Sequence, residues 1–111
     1  MEGFAEVSRK FDLCAKDDID SGAARRFELE GVAIAVVRID DQFYAIGDRC
    51  SHANYSLSEG EVLKDEKELE CWKHGSTFSL ETGKPACMPA TKPVPVYDVV
   101  VEGDRVMVVI S

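Results

Sequence analysis

Apolar residues fall in short blocks along most of this chain, and nearly every block ends at a turn-forming residue. Phe4 to Val7 and Phe11 to Cys14 open the series as strand candidates. Asp17-Asp18-Ile19-Asp20-Ser21-Gly22 follows as a polar loop or single helical turn. Arg25 to Glu30 alternates weakly and is punctuated by Gly31. Val32 to Ile39 is rich in β-branched residues and apolar on both faces, the pattern of a strand covered on both sides. Asp40-Asp41 then forms a two-residue turn into Gln42 to Ile46, which predicts a hairpin.

The middle of the chain differs. From Gly47 to about Pro93 the strand candidates are short: Glu61 to Leu63, Leu69 to Cys71 and Thr77 to Ser79. In Glu81-Thr82-Gly83-Lys84-Pro85 a glycine supplies positive φ and a proline fixes the exit. Longer strands return at Val94 to Val101 and Arg105 to Ile110, joined through Glu102-Gly103-Asp104. No segment keeps a helical period over three turns. The expected fold is all-β: an antiparallel barrel or sandwich base, strands within 1–46 and 93–111, with a loop-rich insertion over about 47–92.

Composition narrows the class. A chain of 111 residues, 45% hydrophobic and 31% charged, fits one globular domain. The longest apolar run, Val32 to Val37, is far too short to cross a bilayer. Met1 to Glu6 has neither the basic flank nor the apolar run of a secretory signal, so cytosol is the expected compartment. A formal charge of −8 argues against nucleic acid, whose phosphates need a basic face. The same charge suits a protein partner with a basic surface. Four cysteines in a reducing compartment rarely mean structural disulfides, which makes their spacing the question.

Two of them stand close to the chain's two histidines. Cys50-Ser51-His52 is followed, after eighteen residues, by Cys71-Trp72-Lys73-His74. Each motif offers one thiolate and one imidazole within reach of a common centre. Two Cys and two His suit a tetrahedral zinc ion, or a 2Fe–2S cluster in which two histidines replace two cysteines on one iron.

The wider pattern resembles the Rieske ferredoxins, specifically the kind that serves bacterial aromatic ring-hydroxylating dioxygenases. The resemblance runs over nearly the whole chain. It includes Asp48-Arg49-Cys50-Ser51-His52, Leu57-Ser58-Glu59-Gly60, His74-Gly75-Ser76-Thr77-Phe78, Thr82-Gly83-Lys84-Pro85 and Pro93-Val94-Pro95-Val96-Tyr97. It implies that the insertion is a cluster-binding subdomain holding one 2Fe–2S cluster. By the same resemblance Cys50 and Cys71 ligate a buried iron that stays ferric, while His52 and His74 ligate an outer iron that cycles. It implies a monomeric one-electron carrier, not an enzyme, between a flavoprotein NAD(P)H-ferredoxin reductase and a terminal oxygenase.

Departures from the high-potential members of the family carry an expectation of their own. Those proteins have a further cysteine in each cluster loop; Tyr55 and Lys73 stand there in this chain. Ser76 matches a serine that bonds to cluster sulfur, but Phe78 replaces a tyrosine that does the same. Losing a hydrogen bond to sulfur destabilises the reduced cluster, so the potential is expected at roughly −150 to 0 mV.

Other residues read more plainly. Cys14 and Cys87 are expected to be ordinary thiols, a disulfide between them being disfavoured by a reducing compartment. Trp72 and Tyr55 are expected to pack against the cluster loops and exclude water. Pro85, Pro89, Pro93 and Pro95 suit a rigid third loop, and Asp65-Glu66-Lys67-Glu68 a solvated turn.

Three alternatives compete. Related chains serve nitrite reductases as small subunits or accompany iron–sulfur assembly, although the former often lack the ligands. A structural zinc domain is a remoter option. The Rieske domain of an oxygenase itself fails on counting, because its mononuclear iron needs histidines this chain does not have.

Overall fold

The computed structural model describes residues 9–49, 56–72, 75–86 and 92–110. Among the described residues, nine strands form two antiparallel sheets. The larger is built from β1 (Arg9–Ala15), β2 (Ala23–Leu29), β3 (Val32–Ile39), β4 (Gln42–Gly47), β8 (Val96–Glu102) and β9 (Arg105–Ile110), in the order β1-β9-β8-β4-β3-β2. The smaller contains β5 (Glu61–Leu63), β6 (Glu68–Glu70) and β7 (Thr77–Ser79) in sequence order. The edges of the larger sheet are tied at one end, where the Arg9 guanidinium on β1 pairs with Glu30 just past β2. Among the described residues no helix is long and apolar enough to cross a membrane.

The position of β3 explains its sequence. Ile34 to Val37 are all 0% exposed, and their alternation assigns them to two different cores. Ile34 and Val36 pack with Cys14, Ile19, Ala45, Val106 and Val108 inside the base. Ala35, Val37 and Ile39 pack on the other face with Ile46, Leu57, Leu69, Cys71, Phe78, Leu80 and Val94. The β3–β4 hairpin is therefore a shared wall, with the small sheet on its far side. Burying such side chains stabilises the fold by about 1.5–3 kcal/mol each. A polar residue at Val36 or Val37 would be unsatisfied in either direction.

The turns follow local chemistry. Glu30 and Gly31 both take positive φ, 51° and 83°, matching the right-handed twist of the β2–β3 hairpin. Ile39 pairs with Gln42 across Asp40-Asp41, and Glu102 with Arg105 across Gly103-Asp104. Lys16–Asp18 forms a short 3-10 turn, where the sequence offered a loop or one helical turn.

Boundaries shift where a backbone group has another task. β2 starts at Ala23, ahead of the expected Arg25, because an edge strand with one wet face alternates only weakly. β8 starts at Val96 rather than Val94: Pro95 has no N–H, and Val94 N–H bonds to Gly83 O at 2.9 Å. Val94 turns its side chain into the outer core, 5% exposed. β6 runs Glu68–Glu70, one residue before the expected span, because Cys71 begins a loop. The strand expected at Phe4 to Val7 lies outside the described residues.

Candidate metal centre

Two loop stems meet on the outer core. The first leaves β4 through Asp48 and Arg49 and returns at Ser56 and Leu57. Arg49 and Ser56 form an antiparallel bridge, and Leu57 N–H donates to Asp48 O at 2.5 Å. Asp48 itself is 2% exposed. Its carboxylate accepts hydrogen bonds from Ser58 N–H at 2.8 Å and from the Ser56 hydroxyl. Arg26 Nε on β2 lies 3.1 Å from the same carboxylate. Charge-assisted bonds of this kind offset the cost of removing a carboxylate from water. Cys50, His52 and Tyr55, expected within this loop, lie outside the described residues.

The second stem is the end of the β6–β7 hairpin. Cys71 N–H donates to Ser76 O at 2.7 Å, and Gly75 N–H donates to Cys71 O at 3.0 Å. The closure needs the positive φ of Gly75, 76°. Cys71 is 0% exposed, in no disulfide, and held in the outer core with Leu57 and Phe78. A soft sulfur donor at a loop end, sheltered from water on its protein side, fits an iron–sulfur or zinc centre. His74 and Lys73 lie outside the described residues.

Gly60 brings the stems together. A Cβ at this position would sit 1.6 Å from Glu70 O, so the exit of the first loop presses against the last residue of β6. Only a residue without a side chain permits that approach. Leu57, fully buried in the same core as Cys71, completes the contact between the stems.

A third segment is anchored on the same core. Ala86 N–H donates to Thr77 O at 2.7 Å, Pro85 bridges to Phe78, and a Cβ at Gly83 would sit 2.1 Å from Val94 O. Prolines 85, 93 and 95 flank it; Pro89 and Cys87, within the expected third loop, lie outside the described residues.

One expectation changes. Trp72, expected to pack against the cluster loops and exclude water, is half exposed, at 50%. It follows a fully buried Cys71, and consecutive residues leaving a strand point to opposite sides. Beside it lies an open groove of about 660 Å³, lined by Glu59, Glu61, Glu70 and Val62. Phe78 is fully enclosed beneath the stems, so the residue replacing a tyrosine serves as packing. Ser76 is also fully buried.

Remote from the stems, Cys14 is buried in the base core as a free thiol. Burial, then the Asp18 carboxylate, pushes its pKa above the ordinary thiol value. Burial alone raises Tyr97 above the usual phenol value. Asp48 entered the sequence comparison only as part of a matching stretch. Of its partners, Ser58 lay in another matching stretch, while Arg26 and Ser56 carried no sequence signal.

Comparisons with known proteins agree with this geometry. The family model described as "Rieske [2Fe-2S] domain" matches residues 9–98. The 3-phenylpropionate/cinnamic acid dioxygenase ferredoxin subunit of Shigella boydii is 44% identical over 95 residues, covering 86% of this chain and 88% of its own. The ferredoxin of carbazole 1,9a-dioxygenase from Nocardioides aromaticivorans IC177 superposes with a TM-score of 0.87 at 35% identity, covering 89% of this chain and 95% of that one. A ferredoxin–oxygenase complex of carbazole 1,9a-dioxygenase gives a TM-score of 0.83 at 41% identity, covering 89% and 91%.

Proposed function

This chain belongs to the Rieske 2Fe–2S domain family, and from that membership we propose that it is the one-electron carrier of a ring-hydroxylating dioxygenase system. The observation that carries the proposal is the likeness to dioxygenase ferredoxin subunits over nearly their full length. In this role the chain receives electrons from a flavoprotein NAD(P)H-ferredoxin reductase and passes them to a terminal oxygenase. It performs no bond-making step of its own. It works in the cytosol.

The family's single 2Fe–2S cluster accepts and releases one electron at a time. Cys50 and Cys71 are assigned to its buried iron, His52 and His74 to its outer iron. The burial of Cys71 and the meeting of the two stems on one core support this assignment. Residues of about 47–92, with the small sheet at their centre, form the cluster-binding subdomain. The base sheet supplies a rigid wall at β3–β4 on which the stems rest, so little reorganises when charge changes.

The acidic side chains around Trp72 suit an oxygenase or reductase face rich in Lys and Arg. Reconstitution tests the proposal. With NADH, a flavoprotein reductase and a ring-hydroxylating oxygenase, the purified protein is expected to support substrate hydroxylation. Reduction by the reductase with no onward transfer to any such oxygenase would overturn it.

A further inference from the structure

Asp48 is an unusual residue to find in a loop stem. It is 2% exposed, lies at the end of β4, and every oxygen it has is engaged. Its backbone N–H donates to Ala33 O at 3.0 Å and its backbone O accepts from Leu57 N–H, so β3, β4 and the returning strand meet at one residue. Its carboxylate then binds Ser58 N–H, the Ser56 hydroxyl and Arg26 of edge strand β2. Ser56 and Ser58 hydroxyls also lie within 2.9 Å of one another, which fixes the returning strand. Closing a six-residue loop needs no buried charge. A neutral polar residue does so without the cost of desolvating a carboxylate.

The counter-charge is shared. Arg26 is about half exposed and also meets Glu28 at 2.7 Å, so Asp48 is not fully neutralised by it. A carboxylate in a water-poor stem acts on nearby charges with little screening.

We propose that Asp48, held by Arg26, is the positioning residue of the first ligand loop, orienting Cys50 and His52 and placing a fixed negative charge beside the cluster. The proposal rests on the assignment of Cys50 and His52 as ligands. In this role Asp48 is not a ligand; it acts through the loop whose stem it closes. Two consequences follow from its two roles. The bonds to Ser56 and Ser58 set how firmly the loop holds the cluster, and the charge sets how readily an electron is accepted.

The holo-protein variants Asp48→Asn, Asp48→Ala and Arg26→Gln separate these roles. Cluster loss is followed by visible absorbance under chelator challenge, and the midpoint potential by redox titration. Asp48→Ala is expected to lose its cluster about 10- to 100-fold faster than the parent, the range seen when outer partners of metal ligands are removed. Asp48→Asn keeps an acceptor for Ser58 N–H and is expected to fall between the two. The potential is expected to rise in Asp48→Asn, which removes negative charge, and to fall in Arg26→Gln, which removes its counter-charge. A purely structural role would move both potentials the same way or neither.

If Asp48→Ala fails to fold, the opposite shifts of the other two variants still decide. Parental loss rates in both Asp48 variants, or potentials that do not move in opposite directions, would overturn the proposal. Cys50→Ser serves as the separate control. A native EPR spectrum from that variant would overturn the ligand assignment itself, whatever Asp48 does.

Discussion

The α-carbon of Gly60 faces the carbonyl of Glu70 so closely that a methyl group there would overlap it, at 1.6 Å. This contact joins the exit of one loop stem to the entry of the other, and it involves backbone on both sides. Neither partner yields by rotating a side chain. Gly60→Ala is therefore expected to destabilise the protein by about 3 kcal/mol, the upper part of the usual range for overpacking. Chemical denaturation measures it, and cluster content should fall in parallel. A loss below about 0.5 kcal/mol would mean the stems are free to separate.

Charge should govern association with partners. The chain carries −8, and Glu59, Glu61 and Glu70 surround the exposed Trp72 next to Cys71. Replacing all three by Gln is expected to slow association with an oxygenase about tenfold at low salt and to flatten its salt dependence. Stopped-flow electron transfer across a salt series provides the test. Equal salt slopes for parent and variant would place docking elsewhere.

Alkaline stability should be limited by two acids of the base core, Cys14 buried and Tyr97 partly buried. Cys14 and Tyr97 both have folded pKa values above their ordinary 9.0 and 10.0, chiefly through burial. Their neutral forms are thus favoured by folding. The contribution is complete below the ordinary values and is lost as pH rises through the folded ones. Unfolding free energy is expected to decline from about pH 9 upward, and Cys14→Ala is expected to soften the first part of that decline. A profile flat to pH 11 would contradict it. At neutral pH, native Cys14 should resist alkylation and react only after denaturation.

The midpoint potential should lie at roughly −150 to 0 mV, at the low end of the Rieske range. Phe78 fills a fully buried position with no hydroxyl to offer sulfur, and Tyr55 and Lys73 stand where the high-potential members carry their further loop cysteines. Redox titration decides, and a value above about +150 mV would contradict the account.

What the sequence revealed, and what it hid, follows from the range of each interaction. β3, β5, β7 and β9 were legible to the residue because short apolar, β-branched blocks and their flanking turns are local signals. The weak alternation of β2 reflected an edge strand wet on one face. The start of β8 was displaced because Pro95 cannot join a ladder and Val94 is recruited to the outer core. The candidate ligand motifs stood out because each pairs its cysteine and histidine within a few contiguous residues. The half-exposure of Trp72 was hidden because burial at a loop end depends on which way the strand leaves the sheet. Gly60 looked like ordinary punctuation, and the Arg26–Asp48 pair joins residues from different strands that only the fold brings together.

The central claim is that Cys50, His52, Cys71 and His74 hold one 2Fe–2S cluster with histidine on one iron. EPR of the dithionite-reduced protein tests it most directly. The account predicts a rhombic spectrum whose average g lies clearly below that of all-cysteine ferredoxins, and its loss in both His52→Ala and His74→Ala. A spectrum of the all-cysteine kind, or a native signal surviving both substitutions, would contradict it.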